Sequence, residues 1–100
     1  MYIQRFSAAD ETPLFAMLKE EGDSWRDYHG EHGRARYLRA LQASITYLLY
    51  AENELCGYVR CHEDYGFGVY IHDLLVRKQF RGRQYGRLLM EQVCKDFPHQ

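Results

Sequence analysis

The sequence has no run of apolar residues long enough to cross a bilayer, and Arg5, Asp10 and Glu11 interrupt the N-terminus before a signal-like stretch can develop. A soluble, unprocessed chain without a membrane partner is expected. Its three cysteines, Cys56, Cys61 and Cys94, are odd in number and lack a C-x-x-C pair. That spacing disfavours a disulfide scaffold and predicts free thiols in a reducing compartment, the cytoplasm. Cys56, Cys61 and His62 suggest one corner of a metal site, but no second pair completes a tetrahedral set, so no metal is expected. An excess of either charge is also missing: 13 Lys and Arg against 14 Asp and Glu leave a formal charge of -1. General nucleic-acid binders carry a net basic surface, so nucleic acid is not an expected partner. Repeats, low-complexity tracts and linkers are absent as well, and 100 residues leave room for one core, a single domain over residues 1–100.

What the chain does have is aromatic mass and an uneven charge pattern. Nine Tyr, five Phe and one Trp supply large buried areas to a short sequence. Five basic residues (Arg77, Lys78, Arg81, Arg83, Arg87) crowd into one stretch, whereas seven of the 14 acids lie between Asp10 and Glu31. An anionic ligand would prefer the later stretch.

Residues 1–6 alternate as a short strand. Asp10 or Thr12 can cap a helix that carries Pro13 in its first turn, buries Leu14, Phe15, Met17 and Leu18, and stops at Gly22. Residues 23–33 read as a loop with at most a short helical turn, and residues 34–44 as a second helix with Ala35, Leu38 and Leu41 on one side. Two strands, Thr46 to Glu52 and Leu55 to His62, flank the polar turn Glu52-Asn53-Glu54. After a second turn, Glu63 to Gly68, the apolar run from Val69 to Val76 predicts a strand buried on both faces. A helix from Arg83 or Gln84 then carries Leu88, Leu89, Val93, Cys94 and Phe97 on one face and ends at Pro98. The order is β-α-α-β-β-β-α, an α/β (α+β) fold.

A buried strand running into a basic, glycine-containing loop that opens a helix is a recipe for anion binding. The first helix N–H groups lack intrahelical partners, and the helix dipole adds partial positive charge there. Gly82 and Gly86 remove side chains from the approach, while Arg81, Arg83 and Arg87 add charged donors. Neither the P-loop spacing nor the dinucleotide G-x-G-x-x-G is present.

The run from Tyr70 to Met90 resembles the acyl-CoA-binding motif of the GNAT N-acetyltransferase family, in which a strand ending in L-x-V precedes [QR]-x-x-G-x-[GA] at a helix start. Gln79 and Gly82 match that motif, and Gln84 departs from its Gly-or-Ala position. The element order is similar too, so the resemblance covers essentially the whole chain. It implies a mostly antiparallel sheet with helices on both faces, lacking the family's C-terminal strands. It also implies acetyl-CoA as cosubstrate: backbone N–H groups of Arg81, Gly82, Arg83, Gln84, Tyr85, Gly86 and Arg87 around the pyrophosphate, and the backbone of Leu74, Leu75 and Val76 along the pantetheine arm. A backbone N–H near Leu75 would stabilise the thioester oxyanion.

The implied reaction is attack of an amine on the thioester, with Asp73 and its neighbour His72 as candidate catalytic residues, and Glu63 or Asp64 acting through water. A structural role for Asp73, hydrogen-bonded within the sheet, is the competing reading. No family-type Tyr follows the last helix to act as acid; Tyr85 and Tyr28 are the substitutes. The loop holding Asp23, Trp25, Asp27, Tyr28 and Glu31 is the candidate acceptor site, with Trp25 and Tyr28 against a cationic small-molecule or peptide amine. The alternatives are a noncatalytic acyl-CoA-binding or regulatory domain, and a pure interaction domain whose basic helix start contacts an acidic partner. The strand before the motif would be left as an apolar edge, which predicts a homodimer or a strand-completing partner.

Overall fold

The computed structural model describes residues 1–98. Four strands, β1 (Tyr2–Arg5), β2 (Ile45–Ala51), β3 (Glu54–Glu63) and β4 (Val69–Val76), form one sheet in that order, every neighbouring pair antiparallel. Helices α1 (Glu11–Glu21), α2 (Arg26–His29) and α3 (Arg34–Ala43) join β1 to β2, and α4 (Tyr85–Asp96) follows β4. The expected order is therefore observed, with α2 as the short turn of helix inside the acceptor loop.

Two cores lie on opposite faces of the sheet. On one, Leu14, Phe15 and Leu18 of α1 and Tyr37 and Leu41 of α3 meet Leu48, Leu55, Tyr58 and Leu75. On the other, Leu89 and Val93 of α4 cover Tyr47, Leu49, Val59 and Cys61. The period-2 alternation of the strands sends successive side chains to the two layers. Two expectations for helix faces change. Tyr37 rather than Ala35 carries the buried stripe of α3 with Leu41, and Cys94 of α4 is exposed. The Cys56–Cys61–His62 corner is divided by the sheet, because both thiols pack in the α4 layer while His62 bonds to Ser44 and His72 on the opposite face.

The β2–β3 connection is a two-residue turn in which Glu52 and Asn53 both have positive φ, 55° and 64°. This is the left-handed geometry that matches strand twist in tight hairpins. Aspartate 10 stands at the N-cap of α1, yet its carboxylate serves the sheet: it accepts from Ser7 N, Gln4 Nε2 and Tyr50 Oη, tying β1 and β2 to the helix start.

Strand β4 is not buried on both faces. Tyr70, His72 and Leu74 are exposed, whereas Asp73 and Leu75 are covered. As the last strand of the sheet it has one open edge. Pairing with β3 runs Arg60 to Asp73 and then Cys61 to Ile71, so His72 is the extra residue of a β-bulge. The bulge inverts the alternation: Val69 and Ile71 face α4, while Asp73 and Leu75 face the α1–α3 layer. Among the described residues no helix is long and apolar enough to span a membrane.

Candidate functional site

The chain leaves β4 at Val76, makes a 3-10 turn over Lys78–Phe80 and enters α4 at Tyr85. Phe80 is buried and anchors the loop against the α4 layer. Gly82 has φ +87°, which a side chain tolerates poorly, and Gln84 takes a left-handed conformation, φ +68° and ψ 16°, directly before the helix. The first helical bond runs from Leu88 N to Gln84 O, so the N–H groups of Tyr85, Gly86 and Arg87 lie ahead of the helical ladder. Val76, Phe80, Arg81, Gly82, Gln84, Tyr85, Gly86 and Arg87 line a cavity of about 360 Å³ here.

With the helix starting at Tyr85, a second register of [QR]-x-x-G-x-[GA], two residues on from Gln79, Gly82 and Gln84, sets its three positions on Arg81, Gln84 and Gly86 at the helix start. Gln84 then occupies the central glycine position, where its positive φ explains why glycine suits the turn. A Cβ built on Gly86 would meet only Val76 Cγ2, at 3.7 Å, so the last position has room for alanine.

The basic side chains around the loop are less free than their density suggests. Arg77 pairs with Glu20 at 2.9 Å and Arg81 with Glu21 at 2.7 Å, both acids from the end of α1. Arg87 pairs with Glu91 one turn along α4, and Arg83 lies over the Phe80 ring. Three of the five basic residues that crowd this stretch are thus paired with acids by the fold.

The open edge of β4 runs directly into this loop. Arg77 N donates to Cys56 O, which marks Arg77 as a hydrogen-bonded partner of β3. Antiparallel pairing alternates, so the polar groups of Val76 and Leu74 point to the open edge and those of Leu75 point into the sheet. The outward backbone groups belong to Leu74 and Val76, the two neighbours of Leu75.

Three residues before Val76, Asp73 lies beneath the acceptor loop. Ser24, Trp25, Asp27, Tyr28 and Asp73 line a cavity of about 210 Å³, uniting the two expected acceptor residues with the expected base. Asp73 is itself buried and heavily used. Tyr28 Oη donates to Oδ1 at 2.8 Å; Tyr37 Oη at 2.7 Å and Arg60 Nε at 2.6 Å donate to Oδ2. A carboxylate offers about four acceptor positions, so roughly one remains. Tyr28 stacks on Tyr37 with ring centroids 4.0 Å apart, and Trp25 meets Tyr28 and Tyr58 edge-on, giving the cavity a rigid aromatic wall. Burial, then the hydrogen bond to Asp73, raises the Tyr28 phenol above its ordinary value, so it keeps its proton as a donor.

His72 is held apart from that cavity. It stands on the bulge, its Nε2 2.6 Å from Nδ1 of His62, a pair that needs one imidazole donor and one acceptor. Tyr85 packs beside Phe80 at the cradle, far along the strand from Asp73. Tyr37, Tyr58 and Arg60, around Asp73, and Glu21, beside the cradle, are residues that sequence reading missed, and His62 lies one step further along β3. The i, i+2, i+4 series Tyr58, Arg60, His62 on an alternating strand is the signal that would have found three of them.

The chain matches the acetyltransferase (GNAT) family over residues 13–100 and belongs to it. Among solved structures it is similar to an aminoglycoside 6'-N-acetyltransferase complexed with coenzyme A, with a TM-score of 0.79 and 19% identity over 98% of this chain and 56% of that one. The aminoglycoside 6'-N-acetyltransferase from Enterococcus faecium gives a TM-score of 0.76 at 19% identity, again covering 98% of this chain and 56% of the other. An aminoglycoside acetyltransferase from an uncultured soil metagenomic sample is 26% identical, with a TM-score of 0.73 over 94% of this chain and 69% of its own. The chain therefore spans little more than half the length of the first two. No curated protein sequence matches it.

Proposed function

We propose that this chain binds acetyl-CoA and carries out, or forms the cofactor-binding half of, acetyl transfer to a cationic amine. The observation behind this reading is that one strand serves two sites. The anion cradle opens at Val76 and the acceptor cavity at Asp73. Three residues of strand separate them, about 10 Å at ~3.3 Å per residue, with outward backbone groups at Leu74 between. Pyrophosphate held by the N–H groups from Gly82 to Arg87, that of Arg81 being spent on Lys78 O, would place a pantetheine arm along Val76 and Leu74, and its thioester beside Asp73.

In this reading Asp73 attracts the acceptor ammonium through its remaining acceptor position, and Trp25 and Tyr28 offer ring faces and edges to it. One proton leaves the ammonium toward Asp73 before attack. A second passes to the departing thiolate as the carbon–sulfur bond breaks, and the new amide is neutral. Leu74 N–H donates to the oxygen that gains charge. The small cavity favours an amine on a flexible chain, and the aminoglycoside acetyltransferases among the similar structures make aminoglycosides a sensible part of the acceptor panel.

Calorimetric titration with acetyl-CoA and with acetyl-pantetheine tests the cradle: the first should bind and the second should bind far more weakly. Thiol release with a panel of diamines and aminoglycosides then reads turnover. Tyr28→Phe keeps the ring stack and should leave the fold intact while lowering kcat. Asp73→Asn should abolish turnover and also cost roughly 3 kcal/mol of stability, because Arg60 is left buried without its counter-charge. If no CoA species binds, the function proposed here is wrong.

A further inference from the structure

The mouth of the cradle is crossed by a side chain. Arg81 Nε donates to Val76 O at 2.8 Å, and its Nη2 pairs with Glu21 Oε1 at 2.7 Å. Val76 O lies on the open edge of β4, where an added chain of amides would find its first acceptor. Both partners of Arg81 are well placed to hold it. Val76 is part of the sheet, and Glu21 closes α1 with its side chain 11% exposed, against 48% for Arg81. The carboxylate is thus the fixed member and the guanidinium the movable one. The neighbouring pair differs: Arg77 also donates to Leu55 O and lies over Phe80, so it is anchored from several sides.

We propose that Arg81 and Glu21 form a latch across the cofactor groove, in which Arg81 fills the edge position of β4 that a pantetheine amide would use and Glu21 keeps it there. This inference rests on the acyl-CoA reading of the cradle. On entry of the cofactor, Arg81 gives up Val76 O to an amide N–H and exchanges Glu21 for a phosphate oxygen. The number of hydrogen bonds is conserved, and Glu21 is left as an uncompensated anion beside the pyrophosphate. Glu21 therefore sets cofactor affinity without touching the cofactor, as a positioning residue for Arg81.

The test is calorimetric titration of CoA into the wild-type chain and Glu21→Gln, with the Arg81 Nε–H resonance followed by NMR in each. Removing the carboxylate should tighten CoA binding roughly two- to fivefold, the worth of a part-exposed ion pair, and CoA should shift the Arg81 resonance in the wild type. Should Glu21→Gln lose the fold, Arg81→Lys carries the same test: it keeps the charge, cannot bridge Val76 and Glu21 together, and should also tighten binding. Equal affinities with an unmoved Arg81 resonance would overturn the latch alone, since Arg81 and the cofactor would then share the two lone pairs of Val76 O. No binding of CoA to any of the proteins would overturn both the latch and the acyl-CoA reading beneath it.

Discussion

Gln84 shows what a single residue contributes here. Its left-handed φ of +68° costs a non-glycine residue roughly 1–2 kcal/mol. Glycine would relieve this, offset by about 0.4–1 kcal/mol of added freedom in the unfolded chain. Gln84→Gly is expected to gain about 0.5 kcal/mol, read as a rise of a few degrees in Tm, and to tighten CoA binding by clearing the cradle. A loss of stability would mean that the Gln84 side chain itself holds the turn. His72 adds a pH dependence. Loss of solvent around its ring, then the charges of Arg60 and His62, lower its pKa below the ordinary 6.5, against an opposing pull from Asp73. The unfolded chain binds this proton more tightly, so the stabilisation is present above about pH 6.5 and fades as pH falls toward the folded value. Urea unfolding of His72→Gln should show a shallower loss between neutral and mildly acid pH than the wild type. At this scale Asp73, Trp25 and Tyr28 were named through the family resemblance, and the fold sets them around one cavity. Tyr37, Arg60 and Glu21 were not, because their partners lie 36, 13 and 60 residues away in sequence.

At the scale of elements, β4 decides most of the chemistry. Its apolar composition reads as a fully buried strand, but its place at the end of the sheet and the bulge at His72 turn it into a half-covered edge. Alternation then predicts an exchange pattern. The amide protons of Leu74 and Val76 should exchange with solvent faster than that of Leu75, which is bonded to β3, and acetyl-CoA should slow the first two selectively. Uniform protection along the strand, or protection at Leu75 alone on binding, would contradict the proposed path of the pantetheine arm. Helix α4 contributes in two ways: Leu89 and Val93 seal one core, and its first turn presents the N–H groups of the cradle. Tyr47 of β2 donates to Asp96 at the other end of the same helix and holds that carboxyl below its usual range, fixing the helix at both ends.

For the whole molecule, the sheet divides two cores, and a Cα radius of gyration of 13.2 Å is that of a compact 100-residue domain. The open side of β4 remains, with Leu74 and the aromatic residues Tyr65, Phe67 and Tyr70 exposed along it and the adjoining turn. Unpaired edges of this kind are normally covered. Sedimentation velocity is expected to show a dimer joined at residues 69–71 of β4, which leaves the edge at Leu74 and Val76 to the cofactor, and Tyr70→Lys should dissociate it; a monomer at all concentrations would remove the pairing. The periodicities by themselves determined the strands, the helices, the two tight turns and the loop that opens α4, because these follow from neighbours a few positions apart. Only the tertiary structure decided that α4 opens directly after a left-handed Gln84, that the backbone groups of Leu74 and Val76 face the open edge of β4, and that Glu20 and Glu21 pair with two of the basic residues of the loop. Each of these depends on which distant segment packs beside which, and a one-residue bulge at His72 is enough to change the answer for a whole strand.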